Sequence, residues 1–146
     1  MANPEIVDWF DKHWLNTYTQ AITKGLNTLS EKDQVLALVG ATFDHEIGAG
    51  RRELMCGPMG AHIPELIAAF EKLDLKEAAK SFRKFAKKFP DGTPAKDEAE
   101  REEQVSNLPK NAWKELYKFG ELFEEFEPGG ERVMLTRLYE WYHKQP

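Results

Sequence analysis

A chain of 146 residues, 41% hydrophobic and 31% charged, has the size and balance of one globular domain, which excludes a disordered tail. Its net charge of −5 excludes attraction to DNA or anionic membranes through the whole-molecule field. No run approaches the ~18 apolar residues of a spanning helix, and the opening MANPEIVDWF lacks the basic and apolar regions of a signal peptide. The single cysteine, Cys56, has no internal disulfide partner, which suits a reducing cytoplasm.

Helical periodicity dominates, and strict alternation of the strand type is absent. The first helix is predicted from Pro4, capped by Asn3, with Ile6, Phe10, Trp14, Tyr18 and Ile22 recurring every four residues. Trp9 and Leu15 widen that stripe, and Gly25 ends it. A second helix opens at Ser30, where Asp33 gives a capping-box spacing, and runs through Val35, Leu36, Leu38, Val39, Phe43 and Ile47 to Gly48 and Gly50. The glycine-rich stretch Arg51 to Gly60 reads as a loop or broken turn.

A third helix is predicted from about Ile63 to Leu73, with Pro64 in its first turn. Asp74 then reads as the N-cap of a fourth, with Glu77 three residues on. Leu75, Ala78, Ala79, Phe82, Phe85, Ala86 and Phe89 form its apolar stripe, and Pro90 to Pro94 stops it. A polar helix follows from about Asp97 to Leu108. A sixth starts near Pro109 and carries Trp113, Leu116, Tyr117, Phe119, Leu122, Phe123 and Phe126. The last spans Glu131 to about Lys144, with Val133, Met134, Leu138, Tyr139, Trp141 and Tyr142. There is no fixed-period repeat and no linker, so residues 1–146 are expected to form one all-α domain of about six to seven helices.

Charge is segregated along the chain. Residues 72–90 hold seven cations and two carboxylates, whereas residues 91–131 hold twelve carboxylates and five cations. Either both are solvated helix faces or they form a dipolar surface that steers a charged partner.

Sites of chemistry are sparse. His45-Glu46 begins like a zinc-protease helix, but Ala49 stands where the second histidine would be, and zinc needs three or four ligands. His13, His62 and His143 are scattered, so no metal or cofactor is expected. Nothing beside Cys56 marks an activated nucleophile. Gly48, Gly50, Gly57 and Gly60 follow no strand and precede no Lys-Ser or Lys-Thr, so they are not a phosphate loop. An enzyme reading would need His45, Glu46, Arg51 and Arg52 to converge in one pocket.

The acidic stretch is the most informative surface feature. Asp97, Glu98, Glu100, Glu102, Glu103, Glu121, Glu124, Glu125, Glu127 and Glu131 lie on or beside two helices. Carboxylates spaced along stiff helices can stand in for rows of phosphates, and the bland alternative is plain solubility.

The order of features from Phe43 onward resembles the DNA-mimic protein family, a group of small acidic all-helical bacterial proteins. The matching residues are Glu46 before the glycine stop, the Pro64-Glu65 helix start, Ala78-Ala79, the Phe89-Pro90-Asp91-Gly92 turn, Asp97 with Arg101, and the stripe Leu116, Phe119, Phe123 and Phe126. The resemblance spans roughly residues 43–144. It departs where the family has Asn-Gly-Gly after the glutamate and this chain has Gly48-Ala49-Gly50. The resemblance implies binding without catalysis, by a dimer whose carboxylates compete with operator DNA for a DNA-binding regulator.

The expected function is therefore a non-catalytic acidic interaction protein with a protein partner, and with no direct nucleic-acid or membrane binding. The expected contact residues are Glu98, Glu102, Glu121, Glu124 and Glu127. A second reading from another class is an inhibitor or immunity protein that neutralises a toxin or a defence nuclease.

Overall fold

Asn3 and Pro4 begin the first helix as their chemistry predicts. In the computed structural model, which describes residues 3–44, 51–116 and 130–146, the Asn3 side chain accepts a 2.9 Å bond from the Glu5 N–H. Helix α1 runs Pro4–Lys24 and closes at Gly25, whose left-handed φ of 100° suits glycine. Ile6, Trp9 and Ala21 are buried, and the rings of Phe10, Trp14 and Tyr18 stack in succession at 5.6 and 5.0 Å. Leu15 does not join this stripe: it is 61% exposed, because α1 has solvent on that side.

Helix α2 (Glu31–Asp44) is the centre of the fold, with every residue from Val35 to Thr42 buried. It packs against α1, and Gly40 is what lets the two approach: a Cβ there would lie 2.1 Å from Trp14 Cδ1. Trp14 Nε1 donates across the same contact to the Ala37 carbonyl at 3.3 Å. At the start of α2, the Asp33 N–H donates to Ser30 Oγ at 3.4 Å, and Ser30 Oγ donates to Asp33 Oδ2 at 3.1 Å. The predicted glycine end at Gly48 and Gly50 lies outside the described residues.

The stretch expected to be a loop is mostly helical. Helix α3 covers Arg51–Cys56 and a 3-10 helix covers Pro58–His62. The break is confined to Gly57, with Pro58 opening the 3-10 helix, while the residues before them are ordinary helix formers. Helix α4 (Ile63–Lys72) follows, with Pro64 in its first turn, as expected.

Asp74 is not a helix cap. It sits at φ 56°, in the left-handed region, and closes α4. The Leu75 N–H reaches back to the Phe70 carbonyl at 2.9 Å, and the Asp74 N–H to the Glu71 carbonyl at 3.0 Å, which is a Schellman closure. Aspartate tolerates that conformation better than most residues. Helix α5 (Lys76–Ala86) then starts from Leu75 with no side-chain cap. Its stripe of Ala78, Ala79, Phe82, Phe85 and Ala86 is fully buried against α4, as the periodicity predicts.

Helix α6 (Glu98–Ser106) leads to a 3-10 turn at Lys110–Trp113, where Trp113 is half-buried against Phe85 at 5.2 Å. The aromatic stripe at Phe119, Phe123 and Phe126 lies outside the described residues. Helix α7 (Gly130–Lys144) returns across α1 and α2, burying Met134, Leu135 and Leu138. These helices share one apolar core, and no described residue is in a strand, so the fold is all-α.

One bond ties the last helix to α2: Tyr142 Oη donates to Asp33 Oδ1 at 2.7 Å. Burial, then the Asp33 bond and charge, push the Tyr142 phenol from 10.0 up to about 12. An unfolded tyrosine ionises first, so the folded state holds more protons between those two values and stability falls as pH rises through that window. Chemical denaturation at pH 9 and pH 11 is expected to show this loss in the native sequence and a smaller one in Tyr142→Phe.

Candidate acidic interaction surface

Asp97 opens α6 by accepting a 2.9 Å bond from the Glu100 N–H. Glu98 and Glu100 in the first turn add negative charge where the helix dipole favours it. Only two residues of this helix are buried, Arg101 and Val105. Asp97, Glu98, Glu100, Glu102 and Glu103 are all exposed.

Arg101 is 1% exposed and is the anchor of the helix. Its Nε donates to the Met55 carbonyl at 2.8 Å, and one terminal nitrogen donates to the Gly57 carbonyl at 2.9 Å. The other terminal nitrogen donates to the carbonyls of Ala95 and Lys96 at 2.9 and 3.0 Å. One guanidinium thereby joins α6 to the end of α3 and to the loop before its own helix. Gln104 reinforces that loop by accepting from the Ala95 N–H at 2.9 Å. Gly60 makes room for the arrangement, since a Cβ there would lie 2.0 Å from the Met55 carbonyl oxygen and 2.5 Å from Arg101 Nε.

The cation inside α6 is spent on backbone carbonyls and faces inward, while the carboxylates face water. Glu98 and Glu102 are one turn apart on the same side, with a rise of about 6 Å between them. The ion pairs found for residues 72–90 go elsewhere: Lys72 to Glu31 at 2.7 Å, Lys76 to Asp74 at 3.7 Å, and Arg83 to Glu71. Among the described residues, no cation pairs with a carboxylate of α6. The basic helix α5 packs on α4, and the acidic helix α6 packs on α3 and the 3-10 turn after it.

A family model described as DMP19-like protein matches residues 27–145. The chain belongs to the DMP19-like family. This is the family of DNA-mimic proteins that the sequence resembles. No curated protein and no solved structure matches the chain.

In this DMP19-like chain, Glu98 and Glu102 are the expected contact residues that the structure places, both exposed on α6. Glu121, Glu124 and Glu127 lie outside the described residues, as do His45 and Glu46 of the enzyme reading. Arg51 and Arg52 stand at the start of α3. Among the described residues, no group of three or more His, Cys, Asp or Glu is placed to hold a metal, and no helix is long and apolar enough to cross a membrane. A separate cleft of about 390 Å³ lies between the end of α1 and the turn at Pro58–His62. His62 and Glu65 meet there at 4.0 Å, and burial holds His62 below its ordinary value despite the nearby carboxylate.

Sequence reasoning missed Arg101 as the structural key to the acidic helix. Its signal was faint: it stands one turn before Val105, where a helix with so few apolar residues needs a second buried position.

Proposed function

We propose that this DMP19-like protein is a non-catalytic, cytoplasmic interaction protein that binds a DNA-binding protein by offering carboxylates in place of DNA phosphates. The contact set is Glu98 and Glu102 on α6 together with Glu121, Glu124 and Glu127. One observation carries this reading: α6 and its N-cap Asp97 present five exposed carboxylates, none of them in an ion pair among the described residues, while the arginine of α6 is buried among backbone carbonyls. A helix held at both its loop and its neighbour presents charge on a stiff support, so little ordering entropy is lost on binding. Family membership supports the same role.

Affinity capture with crosslinking and mass spectrometry from the native host tests it. The native chain is expected to return a DNA-binding protein, and Glu98→Gln/Glu102→Gln to retain roughly a tenth as much of it, because two charges opposite a cationic surface are lost. Equal capture by both forms overturns the assignment of these carboxylates. Recovery of a nuclease or toxin with no regulator overturns the choice of partner in favour of the inhibitor reading.

A further inference from the structure

The side of α5 opposite its buried phenylalanines is a row of lysines. Lys76, Lys80, Lys84 and Lys87 recur at intervals of four, four and three residues, so they share one face, and all are exposed. Lys76, the first of the row, pairs with Asp74, and the cations beside the row are matched locally, Lys72 by Glu31 and Arg83 by Glu71. Among the described residues, Lys80, Lys84, Lys87 and Lys88 form no ion pair.

We propose that this lysine row docks on the α6 carboxylates of a second copy of the chain, in a head-to-tail contact. Charge complementarity is the argument. Both rows ride on regular helices with the same four-residue repeat, so Lys80 and Lys84 are spaced along their axis as Glu98 and Glu102 are along theirs, about 6 Å apart. Among the described residues no ion pair joins the two rows within one chain, and α5 packs on α4 whereas α6 packs on α3. Nucleic acid is the poorer occupant: a chain of net charge −5 with an exposed acidic helix repels it. The contact joins two different patches, so it is heterologous and distinct from a two-fold dimer. It covers Glu98 and Glu102, and self-association therefore competes with partner binding, a consequence that alone rests on the proposed function.

Sedimentation over a range of protein concentrations, in low and high salt, tests the contact without any partner, so its failure leaves the partner reading untouched. Association is expected at ~50 mM salt and to weaken at least about tenfold by ~500 mM, as exposed ion pairs do. Lys80→Glu/Lys84→Glu and Glu98→Lys/Glu102→Lys are each expected to abolish it, and an equimolar mixture of the two variants to restore it. Association that ignores salt, survives either variant or fails to return in the mixture overturns the proposal. So does an absence of association at ~50 mM salt, and duplex DNA binding that is lost in Lys80→Glu/Lys84→Glu then assigns the row to nucleic acid.

Discussion

Replacing Arg101 with methionine is expected to destabilise the fold by about 3–5 kcal/mol, the scale seen when one side of a buried charged network is removed. Methionine matches much of the arginine stem, so little volume is lost. What is lost is the donor set for four carbonyls, those of Met55, Gly57, Ala95 and Lys96. Two of these belong to the end of α3 and its turn, and two to the loop leading into α6, so the change also unhitches the acidic helix from its support. Urea denaturation checks the size of the effect. Arg101→Lys is expected to fall between the two, because a single ammonium cannot reach in three directions as a planar fork does. A methionine variant within about 1 kcal/mol of the native protein contradicts the role given to this residue.

The second large effect is expected at Gly60. Adding a single methyl group in Gly60→Ala places a carbon 2.0 Å from the Met55 carbonyl oxygen and 2.8 Å from its carbon, both backbone atoms that cannot swing aside. The third close atom, Arg101 Nε at 2.5 Å, is itself held by the bond to the Met55 carbonyl. Overpacking of this kind costs about 3 kcal/mol. The two sites share atoms, so their effects are not additive. Once methionine replaces Arg101, one of the alanine's clashes is gone, and the double variant is expected to be about 1 kcal/mol more stable than the sum of the single changes. A double-mutant cycle by urea denaturation measures that coupling, and strict additivity contradicts the shared contact.

What the sequence made legible was local. Asn3, Ser30 and Asp97 act as caps through bonds that close within three residues, so residue type and spacing suffice to find them. The α5 stripe was legible because its buried and exposed residues separate cleanly at the helical period. Asp74 was misread because aspartate suits both a cap and a left-handed position, and what decides between them is the closure of α4 by Leu75 onto Phe70. The helix at Arg51–Cys56 was hidden by the glycines around it. Arg101 was beyond local reading: two of its acceptors stand 46 and 44 residues earlier in the chain, and an arginine in an acidic helix reads as a surface residue. Of the candidate site, the chemistry of α6 was visible in the sequence, and the inward turn of its one cation was not.

In the proposed mode of binding, the α6 carboxylates occupy the place of DNA phosphates on the partner. Competition between this protein and the partner's own duplex site, followed across a salt series, tests it most directly. Protein and duplex are expected to displace each other at a single site, affinity for the protein to fall steeply with salt, and Glu98→Gln/Glu102→Gln to flatten that slope. Simultaneous binding of protein and duplex, or a salt slope unchanged by the substitutions, contradicts it.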